Sequence, residues 1–226
     1  TTAEADINLE DLCIGIYPWA IITDHELKKS YVVSQLDEAV TGSLVDSVLL
    51  SKQSEDTLFK LSGAFVSNMT KQQYAEKFHQ VIDYIHAGDC YQVCLAQRFD
   101  APYKGNPWLA YQQLRKSSPT PFSAYMETQE GALLSLSPER FLQVDERKVE
   151  TKPIKGTRPR GDTEVEDQRL YEELASSPKD RSENLMIVDL LRNDLSKHCL
   201  PFSVKVPKLF AIESYSNVHH LVTTVT

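Results

Sequence analysis

The sequence predicts an α+β fold, and three observations carry that expectation. Strand-like runs outnumber helical ones, the helices interrupt them without regular βαβ alternation, and no linker or low-complexity tract divides the chain. With 226 residues, 41% hydrophobic and 25% charged, the composition is that of a globular protein long enough to bury a core. Residues 1–226 therefore read as part of a single domain with a large sheet.

In chain order, residues 12–23 and 30–34 are strand-like runs separated by the polar turn Asp24-His25-Glu26, the pattern of a hairpin. Residues 36–52 place Leu36, Val40, Leu44, Val48 and Leu49 on one helical stripe. A strand is expected at 58–66. Thr70 stands as the N-cap of a helix over 71–87, with Tyr74, Phe78, Ile82 and Ile85 on one face and Gly88 at its end. Residues 91–99 alternate as a half-buried strand does, and a short helix over 107–116 stops before Pro119. From 121 to 152 the pattern is all strand: FSAYMET, ALLSLS, RFLQV and KVETKP. Helices follow over 162–175 and 179–197, then strands near 202–206, 209–215 and from Val218 to the end.

The 24 Lys+Arg against 32 Asp+Glu give a formal net charge of −8, which argues against non-specific nucleic-acid binding. No stretch approaches the roughly 18 consecutive apolar residues of a membrane span, and no basic-then-apolar leader opens the chain. Cys13, Cys90, Cys94 and Cys199 are too few for a disulfide scaffold and lack zinc-site spacing, so a reducing cytoplasm is the expected setting. Thr1 is not an initiator methionine, and chains seldom stop inside a β-branched strand, which leaves an aggregation-prone edge. The chain is expected to be a segment of a longer polypeptide.

Lys152-Pro153-Ile154-Lys155-Gly156-Thr157-Arg158-Pro159-Arg160-Gly161 packs four basic side chains into what reads as a turn, in an otherwise acidic chain. Such a concentration suits a carboxylate-bearing ligand. A lysine such as Lys155, held in a partly apolar place beside other cations, can serve as a nucleophile; a solvated basic turn is the plainer alternative. Glu139 follows the apolar ALLSLS run, and a carboxyl at the end of a buried strand can act as general acid. The alternative is a surface pair with Arg140.

Asp180 and Glu183 are three apart and share a helix face. They could hold magnesium, which takes one or two protein carboxylates, or simply be solvated helix charge. His219 and His220 alternate faces on a strand, so one is expected inward and one outward. Asp189 to Asp194 reads as a structural polar network, and Cys90 and Cys94, four apart on the expected strand, as packing residues.

SLSPERF, TKPIKGTRPRG, KDRSENLMIVDLLRND and VHHLV, in this order and spacing, closely resemble the chorismate-utilising enzyme family. That family includes anthranilate, isochorismate and salicylate synthases. GIYPWAIITDH and GDCYQVCLAQRF extend the resemblance over essentially the whole chain. It implies layered sheets with outer helices, incomplete here because the family's domain begins before Thr1 and continues well past Thr226. A second magnesium carboxylate and a glycine-rich substrate loop belong to that later part. The 226 residues alone are thus expected to show negligible turnover, weak magnesium affinity and a marginal independent fold.

Lys155 is the discriminating position: anthranilate-forming members have PIAGT, whereas PIKGT resembles the members that aminate chorismate at C4 towards p-aminobenzoate and folate. The resemblance implies magnesium as cofactor and ammonia delivered by a separate glutamine amidotransferase subunit. It assigns Glu139 as the acid on the departing C4 hydroxyl and Lys155 as the nucleophile at C2. Ammonia then enters at C4 and expels the lysine. Glu183 would bind magnesium with Asp180 supporting it, His220 would be the active-site histidine with His219 its outward neighbour, and Gly156 and Thr157 would line the substrate pocket. The alternatives are another regiochemistry within the family, such as anthranilate formation, or a non-catalytic binding module.

Overall fold

The computed structural model describes residues 7, 9, 12–51 and 57–226. Local signals fix its early elements. β1 (Trp19–Asp24) and β2 (Lys29–Ser34) pair antiparallel around the expected turn, while residues 12–17 carry no regular structure. α1 (Glu38–Leu50) follows; position 52, the end of the expected helix, lies outside the described residues. The expected strand at 58–66 is instead two short ones, β3 (Lys60–Leu61) and β4 (Val66–Ser67).

α2 (Lys71–Ala87) begins at a capping box. Thr70 accepts from the Gln73 amide, the Gln73 side chain returns to the Thr70 amide, and Gly88 closes the helix at φ 83°. The strand expected at 91–99 is not formed: only its last residue enters β5 (Phe99–Asp100). β5 pairs with β4, and β6 (Tyr103–Lys104) pairs with β3. These ladders join residues about forty positions apart, so neither partner's own alternation announces them. Cys90 and Cys94 are therefore not on a strand, and all four cysteines are free thiols.

α3 (Pro107–Ser117) starts with proline and an Asn106 cap on the Trp108 amide. β7 (Phe122–Glu127) and β8 (Ala132–Ser137) form a six-residue antiparallel hairpin, and β9 (Gln143–Asp145) and β10 (Lys148–Glu150) a shorter one. The segment read as a basic turn is a strand, β11 (Ile154–Pro159). Pro159 is tolerated because it ends the strand, and Gly156 because it sits at an irregularity in the pairing. α4 (Glu164–Ser176) and α5 (Pro178–Ser196) match the two expected helices. β12 (Lys208–Ser214) and β13 (Val218–Thr224) follow. Of the strand expected at 202–206, only a pair of backbone bonds between Lys205 and Thr226 exists.

Instead of one large sheet, the described residues form five two-stranded ladders and a three-stranded sheet of order β11-β13-β12. That sheet is the centre of the molecule. Alternate β13 residues face the helices: His219 meets Asp167 of α4 and Thr223 meets Asn184 of α5, and Val225, just past the strand, packs with Val188 and Leu195. Leu174 and Leu221 are fully buried there.

Elsewhere Ala110 and Tyr111 of α3 are buried, but many other apolar residues are uncovered. Val40, Val48 and Leu49 of α1 and Ile21, Ile22 and Val33 of the first hairpin are exposed. The accessible surface is 17918 Å², whereas a compact monomer of 25.6 kDa exposes about 10,000 Å².

Candidate active site

Lys155 occupies a bulge of β11. Ile154 pairs with Val222 and Thr157 with His220, so β11 carries one residue more than β13 over that stretch. Gly156 makes the bulge possible in two ways. Its φ is 97°, in the left-handed region, and a Cβ there would lie 2.9 Å from Asp180 Cβ and 3.0 Å from Leu174 Cδ1. The absence of a side chain thus lets α4 and α5 rest directly on the strand that carries Lys155. Lys155 itself is half-buried.

The neighbouring cations are not free. Lys152 is paired with Glu213, Arg158 with Glu173 and Asp180, and Arg160 with Asp167. Lys155, by contrast, has no ion pair or side-chain hydrogen bond among the described residues. The four-cation patch expected from the sequence is therefore mostly neutralised, and the positive charge left for a ligand is that of one amine.

Glu139 lies two residues beyond β8 and is exposed, not buried as its place after an apolar strand suggests. Its backbone amide donates to Ser137 Oγ, and its Oε1 accepts from the Ile154 amide at 2.8 Å. The carboxylate is thereby held one residue from Lys155. The surface pair with Arg140 does not carry this segment, because Arg140 pairs with Glu150 and lies over the Phe122 ring.

His220 is buried on the face of β13 opposite the helices, with Nδ1 2.8 Å from Thr157 Oγ1 and the Tyr215 ring 5.7 Å away. Burial pushes its pKa down, opposed in part by the negative charges of Glu139 and Glu213. His219 is not the outward-facing neighbour. It is 2% exposed, because β13 is the central strand and α4 covers its other face. Its Nδ1 meets Ser214 Oγ at 2.7 Å, its Nε2 meets Asp167 Oδ1 at 3.0 Å, and Tyr171 stands edge-on to the ring.

Asp180 and Glu183 differ sharply in availability. Asp180 is buried, its Oδ2 accepts from Arg158 Nη2 at 3.1 Å, and Gly156 lies against it. Glu183, one turn further along α5, is half-buried and among the described residues meets only the exposed Lys179, at 3.7 Å. Among the described residues no group of three or more His, Cys, Asp or Glu side chains could hold a metal ion. Glu183 fits the role of a single magnesium ligand, since magnesium keeps most of its waters, while Asp180 would first have to leave Arg158. The Asp189–Arg192 and Asp194–Lys197 pairs on the same helix are exposed and structural in kind.

Glu139 and Ile154 line a cavity of about 160 Å³ together with Lys152, Glu213 and Tyr215. His220 and Tyr215 line one of about 220 Å³ beside it, walled by Pro119 and Pro138. The structure thus brings Glu139 and His220, the latter bonded to Thr157, to adjoining cavities beside β11 and β13, whereas Lys155 and Glu183 line neither cavity. Asp167, Glu213 and Tyr215 were not legible as site residues. Asp167 sits in the first turn of α4, where an acidic residue reads as ordinary helix-dipole complementation.

Residues 1–226 match the family described as chorismate binding enzyme. Aminodeoxychorismate synthase component 1 of Escherichia coli (strain K12) is 49% identical over 224 residues, covering 99% of this chain and 49% of that protein. Anthranilate synthase component 1 of Lactococcus lactis is 36% identical over 231 residues, covering 97% and 50%. The crystal structure of anthranilate synthase component I from Streptococcus pneumoniae superposes with a TM-score of 0.78 at 28% identity, covering 92% of this chain and 48% of that one. The chain spans about half the length of the curated relatives it matches.

Proposed function

The chain belongs to the chorismate binding enzyme family, and from that premise we propose that it is part of the single catalytic domain of an aminodeoxychorismate synthase component I. That enzyme converts chorismate and ammonia to 4-amino-4-deoxychorismate in p-aminobenzoate and folate synthesis, with ammonia supplied by a glutamine amidotransferase subunit. The observation that carries the reading is the amine of Lys155. It alone of the four cations between 152 and 160 lacks a carboxylate partner among the described residues, and Glu139 is tied to the adjacent residue.

In this mechanism the Lys155 amine forms a bond to C2 of chorismate, the ring double bonds shift, and the C4–O bond breaks. Glu139 supplies the proton that releases the hydroxyl as water. Ammonia then bonds to C4, the double bonds shift back, and the C2–N bond breaks to return free Lys155. Dividing one displacement into two easier ones is the benefit of a covalent route. Thr157 orients His220 through its Nδ1, leaving Nε2 to meet substrate. Bound magnesium, with Glu183 among its ligands, would neutralise substrate carboxylate and help fix the ring.

The test is Lys155→Ala in the longer polypeptide that carries this chain, assayed with chorismate, ammonium and magnesium. Loss of aminodeoxychorismate formation with retained chorismate binding is the expected result. Undiminished turnover, or anthranilate as product, would overturn the reading.

A further inference from the structure

Asp167 lies outside every group assigned above, yet it is the most heavily bonded carboxylate near the site. Its Oδ1 accepts from Arg160 Nε at 2.7 Å, from the Gly161 amide at 2.8 Å and from His219 Nε2 at 3.0 Å, and its Oδ2 accepts from Arg160 Nη2 at 2.7 Å. Arg160 is thereby held by a two-pronged bond, the arrangement that gives a guanidinium a fixed direction. Its remaining nitrogen, Nη1, donates to the Tyr215 carbonyl at 2.7 Å, and its backbone amide donates to the Asn217 carbonyl at 3.1 Å. On the other side, His219 links Asp167 to Ser214 Oγ.

These bonds converge on one short segment. Ser214 and His219 flank the turn between β12 and β13, and Tyr215 and Asn217 lie within it. The Tyr215 amide closes the turn on the Val218 carbonyl at 2.8 Å, and the Tyr215 hydroxyl donates to Glu213 at 2.9 Å. The Tyr215 ring then rests against His220. We propose that Asp167 is a positioning residue for His220: through Arg160 and His219 it pins the β12–β13 turn from both sides, fixing the Tyr215 wall against which the imidazole is set.

Two features make the pin firm. Arg160 and the Gly161 amide hold the Asp167 carboxyl well below the usual carboxylate range, so its charge is retained at any working pH. The contacted atoms of the turn include backbone carbonyls, so the constraint acts on the path of the chain as well as on side-chain rotamers. His220 is otherwise faced by Thr157 from β11, Glu213 from β12 and Glu139 from beyond β8. Of these only Glu213 touches the turn, through the Tyr215 hydroxyl, and it leaves the backbone of the turn to Arg160.

The catalytic consequence rests on the function proposed above, so the deciding readout is independent of it. Asp167→Asn in the full-length polypeptide, labelled at histidine, is compared with the unsubstituted protein by NMR titration. The His220 ring resonances are expected to move, and its titration midpoint to rise towards the ordinary histidine value as Tyr215 relaxes outward. In turnover, kcat falls by about 10²-fold, as small misplacements of active-site groups do, with KM little changed. Unaltered His220 resonances and midpoint in a folded variant would overturn the proposal. Should Asp167→Asn not fold, Arg160→Lys removes the two-pronged bond and the Tyr215 tie alone; an unmoved His220 there overturns it equally. A moved His220 in a protein that never forms product would sustain the positioning role and refute the function.

Discussion

The Ile154 amide donates to Glu139 Oε1 at 2.8 Å, so the carboxylate that would act as acid is tethered to the strand residue beside the amine that would act as nucleophile. The bond crosses from the end of the β7–β8 hairpin to the central sheet. Glu139→Gln preserves an acceptor for Ile154 and removes the acid. Denaturant unfolding should then change by no more than about 0.5 kcal/mol, while turnover falls roughly 10²- to 10⁴-fold. An equal loss of stability and rate would make Glu139 a structural residue.

Gly156→Ala is expected to be severe. The new Cβ would adopt φ 97° within 3.0 Å of Asp180 and Leu174, adding roughly 1–2 kcal/mol of left-handed strain to the cost of displacing α5. Urea midpoints should fall by about 2–4 kcal/mol equivalent. A variant with unchanged midpoint would show that the helix face does not press on the bulge.

Asp180 and Glu183 should separate cleanly. Asp180→Asn weakens a largely buried pair with Arg158 and is expected to lower stability by roughly 1–3 kcal/mol. Glu183→Gln, which removes a pair with an exposed lysine, should leave stability within about 0.5 kcal/mol and weaken magnesium binding measured by calorimetry. The reverse pattern would exchange their roles.

His220 gives the pH dependence. Burial favours its neutral form in the folded state, so the unfolded chain binds more protons and stability rises with pH through that window. The contribution is complete above the unfolded value of about 6.5 and is lost as pH falls through the lower folded value. Glu213, pushed up by burial but held lower on balance by Lys152 and Tyr215, and Asp167, held lower still by Arg160, stay ionised there. Melting temperatures between pH 7.5 and 5 should therefore drop more steeply for the unsubstituted protein than for His220→Gln. Parallel curves would contradict the assignment.

What the sequence made legible was local. The Thr70 cap, the Gly88 stop and the FSAYMET and ALLSLS strands are each decided by residues a few positions apart, and each is found where expected. The failures are non-local. Leu61 pairs with Tyr103 and Val66 with Asp100, so 58–66 and 91–99 could not be read from their own patterns. The prolines and glycines of 153–161 signalled a turn because the partner that makes this segment a strand, β13, lies some sixty residues on. The same strand defeated the reading of His219: alternation correctly put the two histidines on opposite faces, but a central strand has no outward face. At the site, residue types were legible from the motifs, whereas Lys152, Arg158 and Arg160 are neutralised by carboxylates that only the folding of other elements against β11 brings near.

The most direct measurement is the intact mass of the full-length protein after rapid quenching with chorismate and magnesium in the absence of ammonia, followed by peptide mapping. The account predicts a gain equal to chorismate less one water, located on Lys155 and removed by adding ammonium. An unmodified protein that nonetheless turns over, or an adduct on any other residue, would contradict it.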